Sequence, residues 1–315
     1  MENNKNSVPY EIRHLFDQKL EEYFCRIFTP AAVKERILNY MDTLARLSKM
    51  GASAVGLGTR RCILLLGNPG NGKTSLAIGA PNEWARTRKQ EALLVTVNGH
   101  ALASGERGAS QKNVGKLFQA LGETASVGLP VFAVVDEAET IGTHRGRIDP
   151  TTNPQDSIFA VNAWLQEMDR AARERPNLIF IFTTNLFGNL DPAIAQRMDF
   201  AVLVPPPDCL NRLTILQDAL KEVQGISAIA PLPASNGQPM ALPRPWAQLL
   251  KRTEGFSARQ LRKLIVGALS FVREPDRLGL KHLLQTVEEE RRQEEFHARN
   301  GGMCVHSFEG KAVSK

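Results

Sequence analysis

A chain of 315 residues with 43% hydrophobic and 23% charged residues has the composition of a soluble folded protein, long enough for one large domain and a smaller one. No apolar run approaches the roughly eighteen residues that span a bilayer, and the start MENNKNSVPYEIRH lacks a secretion signal's apolar stretch, so a cytoplasmic protein without membrane contact is expected. The net charge of +6 comes in short groups (Arg60–Arg61, Arg86–Arg88–Lys89, Arg145–Arg147, Arg259–Arg262–Lys263) rather than one tract with interleaved aromatics, which favours a mildly basic enzyme over a nucleic-acid binder.

Residues 1–28 read as an N-terminal helical segment, with Leu15, Leu20, Tyr23 and Phe24 at helical spacing and no strand signal. Thr29-Pro30 reads as an N-cap followed by proline, opening a helix that carries Val33, Ile37, Leu38, Met41, Leu44 and Leu47. Gly51–Thr59 is a loop. From there strand and helix alternate, which predicts a parallel sheet covered on both faces within a large domain of residues 29–207. The strands are short apolar runs: Cys62–Leu66, Ala92–Val97, Val131–Val135, Leu178–Phe182 and Phe200–Val204. The clearest helix between them is Asp156–Arg173. Pro205-Pro206-Pro207 closes the strand-rich part, since proline cannot continue a ladder. A smaller helical domain over 208–300 follows, with helices at Leu210–Val223, Trp246–Thr253, Ser257–Val272 and Leu278–Glu295. Residues 226–244, with four prolines, read as an exposed connector, and 301–315 as a tail.

The strongest chemical signal is Gly67-Asn68-Pro69-Gly70-Asn71-Gly72-Lys73-Thr74, which fits G-x-x-x-x-G-K-[ST] between an apolar strand and a helix. Its glycines let backbone N–H groups curl around phosphate oxygens, and the following helix adds the positive end of its dipole. Lys73 is placed to neutralise phosphates and Thr74 to ligate magnesium. The second signal is Val131–Val135 running straight into Asp136-Glu137, unusual because carboxylates are depleted in strands. About sixty residues after such a loop, Asp136 is expected to serve the metal and Glu137 to deprotonate the attacking water.

Three further residues stand out. Asn185 ends the Ile179–Thr184 strand, where it either holds the water or the γ-phosphate or merely suits a turn. Arg197 follows the helix start Asp191-Pro192. On its own it reads as a helix-end arginine favoured by the dipole or as a partner for Asp199. Arg259 falls in the first turn of a helix that Ser257 and Gln260 cap as a capping box, where the dipole disfavours a cation and a bound phosphate would favour one. Four scattered cysteines (Cys25, Cys62, Cys209, Cys304) and six dispersed histidines offer no zinc or disulfide pattern.

The order of these motifs resembles the AAA+ ATPases, and within them the pachytene-checkpoint family of HORMA-domain remodellers. The resemblance runs from about Thr29 to Leu269 and rests on GNPGNGKTSL, VGKLFQAL, VFAVVDEAETI, NPQDSIFAVNAWLQEMD, FTTN and GFSARQLRKL. It implies a five-stranded parallel sheet in the order fifth, first, fourth, third, second, with helices on both faces and a helical lid. It further implies ATP and Mg2+ as cofactors, with ATP held by Gly67 through Thr74 and by Ser75, and the metal by Thr74 and Asp136. Alongside Glu137, Asn185 becomes the first sensor, Arg197 the finger reaching a neighbouring subunit, and Arg259 the second sensor of a homo-hexamer. The implied function is ATP-driven remodelling of a HORMA-like protein. The alternative is an ATP-gated module acting on nucleic acid or another complex.

Two departures accompany the resemblance. From its short start the chain is expected to resemble members without the N-terminal recognition domain of eukaryotic ones, and bacterial relatives of that kind are associated with antiphage cyclic-oligonucleotide signalling. The expected central-pore loop, Leu102–Ser110, lacks the aromatic grip residues of relatives.

Overall fold

The structure, a computed structural model, describes residues 10–50, 57–99, 109–141, 154–186, 188, 190–223, 243–272 and 277–299. The pore loop but for Ala109 and Ser110, the Arg145–Arg147 pair, nearly all of the 226–244 connector and the 301–315 tail lie outside them. The chain divides into two units, Met1–Pro206 and Pro207–Lys315.

In the first unit the five expected strands form: β2 (Cys62–Leu66), β3 (Ala92–Val97), β4 (Val131–Val135), β5 (Leu178–Thr184) and β6 (Phe200–Leu203). They pair in parallel in the order β3-β4-β5-β2-β6, as the resemblance implied. A sixth strand corrects the reading of the N-terminal segment as purely helical. β1 (Tyr10–Leu15) lies antiparallel on β3, with Tyr10 opposite Val97 and Leu15 opposite Ala92, so the sheet is mixed. Only Leu15 of this strand is buried, and Glu11, Ile12 and His14 are exposed. An edge strand that buries so little has no alternating apolar signature to read.

Helices cover both faces. Along each strand alternate side chains point to opposite sides. Ile63, Leu65, Leu94, Phe132, Val134, Ile179 and Ile181 meet α1 (Gln18–Cys25), α2 (Ala31–Lys49) and α3 (Lys73–Arg88). Leu64, Val95, Ala133, Val135, Phe180 and Phe182 meet α4 (Ala109–Ala125) and α5 (Pro154–Glu174). Trp84 meets Phe132 edge-on at 5.4 Å on the first face, and Phe118 meets Trp164 at 4.9 Å on the second. Pro30, not Thr29, is the N-cap of α2, and it makes no side-chain cap bond. Thr29 is buried instead.

The β1–α1 segment is seated on α3, the helix that follows the phosphate-type loop. Asp17 caps α1 and exchanges two bonds with buried Asn82, donating its N–H to Oδ1 (2.8 Å) and accepting from Nδ2 (3.0 Å). One turn earlier, a Cβ on Gly79 would stand 2.7 Å from the Phe24 backbone nitrogen. Gly79→Ala gains about 1 kcal/mol of helix propensity, but a clash against backbone has no rotamer to relieve it and costs about 1–3 kcal/mol. The clash should win, and the variant should melt a few degrees lower in a thermal unfolding scan.

The second unit is helical: α7 (Cys209–Glu222), α8 (Arg244–Arg252), α9 (Ala258–Leu269) and α10 (Leu280–Arg299), preceded in the first unit by the short α6 (Pro192–Ala195). Its core includes Leu216, Leu249, Leu261, Leu264 and Val287. The buried Arg212 guanidinium donates to the Pro207 and Leu250 carbonyls, both at 3.0 Å. The capping box of Ser257 and Gln260 on α9 is present in both directions.

Candidate functional site

The loop between β2 and α3 is shaped by its glycines. Gly67 has φ +149°, and a Cβ there would lie 2.5 Å from the Val204 carbonyl oxygen, so no other residue fits. Gly72, at φ +86°, is the left-handed N-cap of α3. The side chain of Asn71, buried, donates to the same Val204 carbonyl at 3.1 Å and fixes the loop to the end of β6. Pro69 is exposed at the tip, with Asn68 and Gly70 partly exposed beside it. Lys73, Thr74 and Ser75 open α3, whose first-turn N–H groups face the loop.

Lys73 is only 5% exposed. Its ammonium donates to the carbonyls of Gly67 (2.8 Å) and Asn68 (2.9 Å) and to Asn185 Oδ1 (2.5 Å). The loop and the end of β5 are thereby joined through one buried cation. Beside it, Thr74 Oγ1 donates to Asp136 Oδ1 at 2.8 Å, bringing the two expected metal ligands together. Glu137 follows with φ +51° and ψ +63°, a left-handed conformation that costs a non-glycine residue about 1 kcal/mol and that is typical of functional sites. The Asn185 backbone N–H reaches Glu139 Oε1 at 3.3 Å. Five of the expected residues, at the start of α3 and just past the ends of β4 and β5, thus gather at the carboxyl ends of three neighbouring strands.

The donor set fits magnesium nucleotide. Mg2+ takes oxygen ligands, retains several waters and uses one or two carboxylates plus phosphate oxygens rather than an all-protein cage. Thr74 and Asp136 supply a hydroxyl and a carboxylate. Among the described residues no cluster of three or more His, Cys, Asp or Glu could hold a metal alone.

Arg197 has a different neighbourhood. Its Nη2 lies 2.8 Å from Asp169 Oδ2 and its Nε 3.2 Å from Oδ1, and its Nη1 donates to the Ala193 carbonyl at 3.0 Å. Arg60 Nε shares Asp169 Oδ1 at 2.8 Å. The hydrogen bond from Arg197, then that from Arg60, holds the Asp169 carboxyl below its ordinary pKa despite partial burial. Asp199 is not the partner of Arg197. It accepts from the backbone N–H of Cys62 (2.8 Å) and of Arg60 (3.0 Å), locking the entry to β2. Arg259 belongs to the second unit, exposed in the first turn of α9.

Asp169 and Thr183 escape a reading of the sequence. Asp169 lies inside a long amphipathic helix, where a lone carboxylate looks like a solvated face. Thr183 sits in a Thr-Thr pair that looks like ordinary strand composition.

Residues 63–206 match the family model "ATPase family associated with various cellular activities (AAA)". Relatives include a putative pachytene checkpoint protein 2 of Caenorhabditis elegans, 32% identical over 62% of this chain and 47% of that protein. The Arabidopsis thaliana homologue is 31% identical over 74% of this chain and 56% of that protein. The chain therefore spans about half the length of these curated relatives. CD-NTase-associated protein 6 of Pseudomonas aeruginosa is 29% identical over 87% of this chain and 89% of that protein. Among solved structures, C. elegans PCH-2 aligns with a TM-score of 0.71 and 24% identity, covering 93% of this chain and 78% of that one. A chain of the E. coli MS115-1 HORMA:CdnC:Trip13 complex aligns with a TM-score of 0.70 and 19% identity, covering 89% and 94%. At such identities these structures speak for the fold.

Proposed function

We propose, from the match of residues 63–206 to the AAA ATPase family model, that the chain is an ATP-driven motor that remodels a HORMA-like protein as a homo-hexameric ring. The observation that carries the ATPase part is the convergence of Lys73, Thr74, Asp136, Glu137 and Asn185 at the carboxyl ends of β2, β4 and β5. ATP with Mg2+ would supply the phosphoanhydride to be cleaved. Gly67 through Ser75 would hold the phosphates, with Lys73 as the charge partner, and Thr74 and Asp136 the metal. Glu137 takes the proton of the attacking water while Asn185 orients it. Arg197 acts on a neighbouring subunit's nucleotide, and Arg259, on α9 of the helical unit, is the second sensor.

Support for the partner comes from relatives. The chain is similar over nearly its whole length to a CD-NTase-associated protein, and it shares its fold with a protein solved in a HORMA:CdnC complex. That likeness supports a role in bacterial antiphage cyclic-oligonucleotide signalling, which would place the chain in the cytoplasm. Among the described residues no helix is long and apolar enough to cross a membrane.

A remodeller holds its target while ATP is bound and lets go after hydrolysis, so a hydrolysis-dead ring should trap it. Glu137→Gln loaded with ATP should retain a small HORMA-like protein from host extract, identified by mass spectrometry, whereas wild type releases it. Recovery of nucleic acid alone would replace this reading with the ATP-gated loading module.

A further inference from the structure

Strand β5 is apolar and buried from Leu178 to Phe182 and then carries Thr183, 2% exposed. A hydroxyl so deeply buried must be hydrogen-bonded. Thr183 uses its hydroxyl in two directions. Its Oγ1 donates to Asp136 Oδ1 and accepts from the Glu137 backbone N–H at 3.1 Å. Sheet register explains the meeting. Val135 pairs with Phe182, and the next residue on each side is Asp136 and Thr183. Asp136 Oδ1 also receives the Thr74 hydroxyl, so two donors fix the rotation of one carboxylate.

We infer that Thr183 is a positioning residue that couples the metal-facing carboxylate Asp136 to the water-activating Glu137, an inference that rests on the ATPase reading of this site. Glu137 sits in the left-handed region, at φ +51°, where a non-glycine residue stays only if its surroundings hold it. The bond from its N–H to Thr183 is such a restraint, and the direction of the Glu137 side chain follows from that backbone. The same hydroxyl gives its proton to Asp136, so the two acidic residues are set relative to each other by one oxygen atom. Loss of that oxygen should disturb the geometry of water activation and leave the loop around Lys73 intact.

Thr183→Val tests this, because valine keeps the shape and the strand preference of threonine and removes only the hydroxyl. The turnover number should fall about 10- to 100-fold, the effect of losing a hydrogen bond to a charged group in a site of this kind. The KM for ATP, and the affinity for a fluorescent ATP analogue, should stay within about twofold, since the phosphate contacts remain. The magnesium concentration for half-maximal turnover should rise. Thr183→Ser keeps the hydroxyl and loses the methyl, and should retain most of the wild-type turnover. Thr183→Ala, which cannot overpack, should behave like Thr183→Val. A packing role predicts the opposite order, with serine and alanine impaired and valine normal. Wild-type turnover in Thr183→Val, or a serine variant as slow as the valine one, overturns the inference. Wild-type chain with no magnesium-dependent ATP turnover would instead overturn the ATPase reading itself.

Discussion

Glu137→Gln should hold ATP with near wild-type affinity and turn it over about 10²–10⁴-fold more slowly, the range expected when a general base is removed. The substitution keeps size and hydrogen-bonding capacity, so the left-handed backbone at this position and its bond to Thr183 are retained. Lys73→Ala should fail in the opposite way. The ammonium it removes is buried and ties the loop carbonyls of Gly67 and Asn68 to Asn185. Its loss takes away both the proposed charge partner of the phosphates and the brace between loop and strand. Loss of hydrogen bonds from a charged group costs about 1.5–3 kcal/mol, or roughly 10- to 100-fold in nucleotide affinity. Equilibrium binding of a fluorescent nucleotide and steady-state phosphate release, measured on both variants, separate the two roles. Near-normal turnover in Glu137→Gln would remove that residue from the chemistry.

The parts of the fold that were legible in the sequence share one physical property. β2 to β5 are buried on both faces, so each reads as an unbroken apolar run bounded by turn residues, and their observed bounds differ little from the expected ones. The capping box on α9 is likewise local, two residues three apart. β1 was illegible for the converse reason. A strand that buries one residue of six leaves almost no pattern, and Leu15 read as the start of a helix belongs to that strand. Thr29 misled because a cap followed by proline is a good local signal, while the structure spends that proline one position earlier, as the cap itself.

In the site the division is the same. Glycine spacing and a strand ending in two carboxylates are short-range signals tied to a defined chemistry, which made the loop, Asp136 and Glu137 readable. The partners that hold them are long-range. Asp169 meets Arg60 across 109 residues and Arg197 across 28. Thr183 meets Asp136 across 47. Nothing in local composition distinguishes these side chains from surface acids or strand threonines. Strand register brings Thr183 to Asp136, and the packing of α5 beside the ends of β2 and α6 brings Asp169 to the two arginines.

Arg197 is the residue on which the proposal that subunits act on one another is tested. Within one chain its guanidinium already forms a fork on Asp169, shared with Arg60, and that arrangement alone would give a structural arginine. The Arg197 side chain nevertheless keeps 22% of its surface open, and a partly exposed ion pair contributes little to stability, roughly 0–1 kcal/mol. A finger needs a companion that holds it in direction without burying it, and Asp169 is suited to that. If Arg197 serves a neighbour's nucleotide, Arg197→Ala should lose about 10³–10⁵ in turnover, the contribution of arginine fingers in related chemistry, while its own loop still binds ATP. Its melting temperature should barely change. Mixing Arg197→Ala with Lys73→Ala should restore part of the hydrolysis, because in a head-to-tail ring an intact loop then faces an intact finger. Asp169→Asn should lie between, slowing turnover by releasing the guanidinium without deleting it. The structural alternative predicts another pattern. Both Arg197→Ala and Asp169→Asn would melt lower by similar amounts, and the mixture would be as inactive as its parents. Phosphate release by the mixed variants, read beside the two melting curves, distinguishes them.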